Sequence, residues 1–134
     1  MTPRVLIIED NDYNIYLLTY ILEHNGCEVF QARDGLEGIR LSKEVKPDLI
    51  LLDIQLPTMD GYAVAGRLRS DPTFADIPII AVTSHAMVGD REKTIGAGCT
   101  GYIEKPINPD TFITEILQYL PKRGDTNEQD FDSR

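Results

Sequence analysis

Two stretches of this sequence are apolar at every position: Val5-Leu6-Ile7-Ile8 and Leu49-Ile50-Leu51-Leu52. Successive side chains of a strand point to opposite sides, so an unbroken run of β-branched and leucine residues marks a strand with no solvent face. Such strands need a sheet covered on both sides, and this requirement fixes the architecture before anything else is known. Ile77 to Val82 is a third run of the same kind, broken only by Pro78 near its start.

The segments between these runs follow helical spacing. The pattern predicts a helix from Asp12 to Asn25, with Gly26 as its stop. Glu28–Ala32 reads as a short, more alternating strand, nearer an edge. Asp34 caps a helix running to about Val45, which Lys46-Pro47 closes. Pro57 and Asp60-Gly61 mark a loop before a helix to about Ser70. A weaker, glycine-spaced helix is expected over about Ala86–Ala97, then a short strand Tyr102-Ile103-Glu104. Asn108-Pro109 opens a last helix, with Asn as cap and Pro in the first turn, ending near Leu120-Pro121. Five strands alternating with five helices predict one α/β domain built on a doubly wound parallel sheet, residues 1–121. Residues 122–134 lack periodicity, hold a single apolar residue, Phe131, and are expected to form a disordered acidic tail.

Composition narrows the function. Acidic residues outnumber basic ones 22 to 13, a net charge of −9, which leaves no surplus cation to neutralise nucleic-acid phosphates or an anionic membrane. No apolar run is long enough to span a bilayer, and the first residues lack the apolar core of a secretion signal. Cys27 and Cys99 are too few for a four-ligand metal site or a disulfide framework and read as packing residues in a reducing compartment. The chain is expected to be cytoplasmic.

Chemistry concentrates where the strands end. The first buried strand runs into Glu9-Asp10, the third ends on Asp53, the fourth on Thr83, and the fifth leads into Lys105. Open α/β sheets bind ligands at the carboxyl ends of their strands, so these residues converge on one rim. Carboxylates gathered there repel one another unless a cation is present. Mg²⁺ fits as a hard ion that prefers oxygen, and with the Lys105 ammonium it cancels the charge of Glu9, Asp10 and Asp53. Such a rim can accept a phosphoryl group, with Asp53 as nucleophile and the metal and Lys105 holding the phosphoryl oxygens.

Glu9-Asp10, Asp53, Thr83 and Lys105-Pro106, in this order, resemble the receiver domain of two-component response regulators over roughly Arg4 to Leu120. Glu9-Asp10-Asn11, Leu52–Pro57 and Tyr102–Ile107 are most similar to single-domain regulators of this family and to hybrid-kinase receivers. The resemblance implies a flavodoxin-like (βα)5 fold with strand order 2-1-3-4-5 and a Mg²⁺-dependent phosphoacceptor, with Mn²⁺ as a substitute. The donor would be a histidine kinase or a histidine phosphotransfer protein, and the output a contact with a downstream protein, from a monomer or weak dimer. It assigns Asp10, Asp53 and the Gln55 backbone carbonyl to the metal, with Glu9 acting through water. Thr83 and Lys105 would bind the phosphoryl group, Thr83 and Tyr102 would move together as a switch, and Gln55, Ser84 and His85 would flank the group. Lys105-Pro106 matches a peptide bond that is cis in the family. The resemblance equally allows a module cut from a hybrid kinase, or a receiver that acts as an unphosphorylated scaffold.

Two other chemistries fit less well. A phosphatase with an aspartyl intermediate needs a second carboxylate where Gln55 stands, and a flavin-binding relative needs a phosphate cradle where Glu9-Asp10 would repel one. Gly96–Gly101 spells G-x-G-x-x-G, but it ends a helix and opens a strand, the reverse of a dinucleotide fingerprint. Arg123-Gly124-Asp125 is an accident of composition.

The first helix holds a further signal. At about 100° per residue, Asn14, Leu18, Ile21 and Leu22 share the face toward the sheet, with Tyr13, Tyr16 and Tyr20 opposite. Tyrosine is enriched at binding surfaces, so Tyr13, Asn14, Tyr16, Leu17 and Tyr20 are expected to form a partner face.

Overall fold

The computed structural model describes residues 2–84 and 89–120. Its strands are β1 (Arg4–Ile8), β2 (Glu28–Ala32), β3 (Leu49–Asp53), β4 (Ile79–Thr83) and β5 (Gly101–Glu104). Between and after them lie the helices α1 (Asp12–His24), α2 (Gly35–Val45), α3 (Gly61–Arg69), α4 (Asp90–Gly96) and α5 (Pro109–Leu117). All strand pairs are parallel, in the order β2-β1-β3-β4-β5. The direction of winding therefore reverses between β1 and β3, where such sheets open a crevice.

Strand parity divides the interior in two. Val5 and Ile7, Leu49 and Leu51, and Ile80 and Val82 pack with Leu18, Ile21 and Leu22 of α1 and Phe112 and Ile116 of α5. Their neighbours Leu6, Ile8, Ile50, Leu52, Ile79 and Ala81 pack on the other face with Ile39 of α2, Val64, Ala65 and Leu68 of α3, and Phe74. β1 after Arg4, and all of β3 and β4, are buried, as unbroken apolar runs require. β2 is the more exposed edge strand that its alternation predicts. Cys27 and Cys99 are buried inside these cores, and burial pushes the Cys99 thiol up to about 11.

Helix starts follow the sequence. Asn11, Asp34, Asp60 and Asn108 each accept a hydrogen bond from a backbone N–H of the turn they open. Several boundaries shift for local reasons. β4 starts at Ile79, not Ile77, and Pro78 contributes only its carbonyl, which accepts from Ile50 N at 2.9 Å. α5 stops at Leu117, and Gln118 and Tyr119 then bond back three residues, in a tighter turn that runs to Leu120. On α1, Ile15 joins Leu18, Ile21 and Leu22 in the core, while Asn14 is only half-buried. A short 3₁₀ turn, Pro72–Phe74, was not expected, although Asp71-Pro72 has the cap and first-turn proline that open one. α4 is described from Asp90. The expected start at Ala86, and the tail 122–134, lie outside the described residues.

Candidate functional site

Each candidate side chain is placed by the end of a strand. β3 is buried through its last residue, so Asp53 emerges at the floor of the rim with only 4% of its surface exposed. One carboxylate oxygen, Oδ1, accepts the Gln55 N–H at 2.9 Å, and the other, Oδ2, lies 3.4 Å from Lys105 Nζ. Lys105 is anchored through its backbone N–H, which donates to the Thr83 carbonyl at 2.8 Å. The Lys105-Pro106 peptide bond that follows is cis.

The same ammonium reaches a second buried acid. Glu9 is 1% exposed, its N–H bonds to the Ala32 carbonyl, and its Oε2 accepts the Asn11 N–H at 3.1 Å. Its Oε1 lies 3.1 Å from Lys105 Nζ but outside hydrogen-bond geometry, so it is paired by charge while its hydrogen-bonding capacity is unused. Asp10 follows on the exposed lip. Glu9, Asp10 and Asp53 each offer an oxygen, all within 4.8 Å of one another.

Burial dominates the electrostatics of Asp53. It pushes the carboxyl from 3.8 up to about 7, and the Glu9 carboxylate adds to the rise, against the Gln55 N–H and the Lys105 ammonium. The donor set is all oxygen, clustered, and short of positive charge, and one buried carboxylate oxygen has no hydrogen bond. These residues fit a hard divalent cation such as Mg²⁺.

The remaining candidates surround this centre. Thr83 is buried at 3% exposure on β4, and Asp53 is in register with Val82 just before it. Gln55 and Ser84 are exposed on neighbouring loops, joined by a 2.9 Å bond from Ser84 Oγ to Gln55 Oε1. Tyr102 is half-buried on β5, packed against the α2–α3 side. Burial and the nearby acids Asp90 and Glu104 raise the pKa of its phenol. His85 lies outside the described residues. Of the expected partner face, Tyr13, Tyr16 and Tyr20 are exposed at 69%, 70% and 51%. Asn14 is half-buried, and Leu17 packs partly against the α1–α5 core. The Asn11 N–H that holds Glu9 was not anticipated, because a backbone donor leaves no mark in a residue pattern. The Ser84–Gln55 bond spans 29 positions and was equally invisible.

The comparisons with known proteins agree with this geometry. The family model described as "Response regulator receiver domain" matches residues 5–117. The polar-differentiation response regulator DivK of Brucella ovis is 46% identical over 120 residues, covering 90% of this chain and 98% of that protein. A putative response regulator from Chloroflexus aurantiacus superposes with a TM-score of 0.86 at 27% identity, covering 91% of this chain and all of the other. The receiver domain of sensor histidine kinase PA1611 from Pseudomonas aeruginosa, solved with a magnesium ion coordinated in its active site cleft, superposes with a TM-score of 0.82. It is 30% identical, and the match covers 89% of this chain and 98% of that one. With its acidic rim at the ends of parallel strands ordered 2-1-3-4-5, the chain belongs to the response regulator receiver domain family.

Proposed function

We propose that the chain is a phosphoacceptor that takes a phosphoryl group from a phosphohistidine onto Asp53, with Mg²⁺ or Mn²⁺ bound, and signals through contacts with other proteins. The observation that carries this reading is a buried carboxylate, Asp53, with Glu9 and Asp10 oxygens within 4.8 Å and the Lys105 ammonium at 3.4 Å. Asp10, Asp53 and the Gln55 carbonyl would hold the metal directly and Glu9 through water. When bound, the ion neutralises the carboxylates and the oxygens of the incoming group.

The chain's own residues do the rest. Asp53, as carboxylate, attacks phosphorus, the N–P bond of the donor breaks, and its electron pair returns to the imidazole. Lys105 pairs with the arriving phosphoryl oxygens, the positioning role that its place between Glu9 and Asp53 supports. The Thr83 hydroxyl donates to the same group. The added charge draws Thr83 inward, and half-buried Tyr102 follows, passing the change to the surface formed by α4, β5 and α5. The exposed tyrosines of α1 receive the phosphohistidine protein.

Intact mass after incubation with acetyl phosphate and Mg²⁺ tests the reading. The expected result is one phosphoryl adduct, absent from Asp53→Asn and absent with a chelator. No adduct from acetyl phosphate, and none from a phosphohistidine protein, would sink it in favour of an unphosphorylated scaffold.

A further inference from the structure

Among the five asparagines of the chain, only Asn25 precedes a glycine. Such a pair is chemically reactive, because the glycine nitrogen carries no neighbouring side chain to hinder its attack on the asparagine amide carbon. Asn11, Asn14 and Asn127 are followed by larger residues, and the Pro109 nitrogen after Asn108 has no hydrogen to lose. Asn25 and Gly26 stand where α1 turns into β2, exposed to the water that the reaction consumes.

The fold holds both reacting groups. Gly26, at φ 84°, takes the left-handed conformation that closes a helix, and its N–H donates to the Glu23 carbonyl at 3.2 Å. The Cys27 N–H donates to the Leu22 carbonyl at 3.1 Å, completing the paired bonds of a Schellman turn. Cys27 is buried, which pins the turn from its far side. The Asn25 side chain is engaged as well, its Nδ2 donating to the Ile21 carbonyl at 2.7 Å. To cyclise, the Gly26 nitrogen has to leave Glu23 and swing toward Asn25 Cγ, and the side-chain amide has to leave Ile21. All these bonds belong to the last turn of α1, and helix ends open more readily than helix centres.

We propose that Asn25 is a deamidation site gated by the end of α1: shielded in the closed turn, reactive when that turn frays, and unable to rebuild the same turn afterwards. In the open state the Gly26 nitrogen gives its proton to solvent and bonds to Asn25 Cγ. The bond from Cγ to Nδ2 breaks, and the leaving amide takes a proton from water and departs as ammonia. A succinimide ring remains, and water opens it at either carbonyl to give aspartate or isoaspartate. Neither product restores the turn. Aspartate lacks the donor to Ile21 and sets a carboxylate beside the carbonyl end of α1, where negative charge is unfavourable. Isoaspartate adds a backbone methylene inside both bonded loops of the turn. The site lies at the pole opposite Asp53, and its chemistry needs nothing from the carboxylate rim.

The test incubates the full chain in mildly alkaline buffer, folded and in unfolding guanidinium chloride, and follows residue 25 by peptide mass mapping. In denaturant Asn25 is expected to convert to aspartate and isoaspartate ahead of every other asparagine. The folded chain is expected to react at least about tenfold more slowly, as a local opening step requires. Ile79→Val, in the core across the sheet from α1, lowers global stability but should leave the folded rate within about twofold, because the end of α1 opens without it. In Asn25→Asp, deuterium exchange at the Gly26 and Cys27 N–H groups should quicken about three- to tenfold, the scale of one lost hydrogen bond. Equal rates with and without denaturant would overturn the gate. So would a folded rate that rises in Ile79→Val by the full factor of its lost stability, since the reaction would then run through the globally unfolded chain. No conversion in denaturant would remove the site, and unchanged exchange in Asn25→Asp would remove its lasting effect on the turn.

Discussion

At the scale of the residue, Asp53 works against the fold that holds it. The folded chain keeps its proton up to about 7, whereas an unfolded carboxyl releases it near 3.8. Between those values the native state binds more protons, so stability falls as pH rises through the window and is lowest above it. Asp53→Asn removes the burden. In urea unfolding without metal it is expected to stabilise the chain by about 1–3 kcal/mol at pH 8 and by much less at pH 4. Mg²⁺ at pH 8 should raise the parent's stability, and Asp53→Asn should lose most of that gain. Asp53, Glu9 and Thr83 were legible in the sequence because each ends or directly follows a run of strand residues that cannot face water. Lys105 was legible as the cation that such a cluster requires. The bonds that tune them, from the N–H groups of Gln55 and Asn11, depend on loop conformation and could not be read.

At the scale of the element, α1 presents two different surfaces. Ile15, Leu18, Ile21 and Leu22 anchor it, while Tyr16 and Tyr20 stack outward at 6.4 Å and Tyr20 lies 4.1 Å from the His24 ring. Exposed rings contribute little to folding, so Tyr16→Ala and Tyr20→Ala should each change stability by less than about 0.5 kcal/mol. Each is expected to slow phosphotransfer from a phosphohistidine protein while leaving loading by acetyl phosphate unchanged. Equal losses with both donors would show that the tyrosines act on the site and not on docking. α3 is set by a tighter constraint. A Cβ on Gly61 would stand 2.5 Å from Ile54 Cα and 2.6 Å from the Asp53 carbonyl oxygen, both backbone atoms. Gly61→Ala must push α3 away from the loop beneath the site, at an expected 1–3 kcal/mol (about the usual scale for overpacking), measurable by urea unfolding. Helix caps were legible because an Asn or Asp before a helical pattern has one main use. The close approach at Gly61 was not, since the sequence showed it only as part of a loop signal.

At the scale of the whole molecule, the sheet is a wall between two interiors that share no side chain. Ile116→Val on one side and Ile79→Val on the other should each cost about 0.5–1.5 kcal/mol. Together they should give the sum to within about 0.5 kcal/mol. A larger discrepancy in the double variant would mean that strain crosses the sheet. The covered sheet and its edge strand β2 were legible from burial patterns alone, but strand order was not. Pairing is a relation between segments, and only the resemblance to a family supplied it. The parallel direction of all five strands has a last consequence. Every strand delivers its final residue to the same pole, and every helix carries the chain back, so β1 begins and α5 ends at the opposite pole. Whatever polypeptide is joined before Arg4 or beyond Leu117 leaves from the end remote from the carboxylates. A fused module can be exchanged for another while the reactive pole stays untouched, which makes the domain a transferable part.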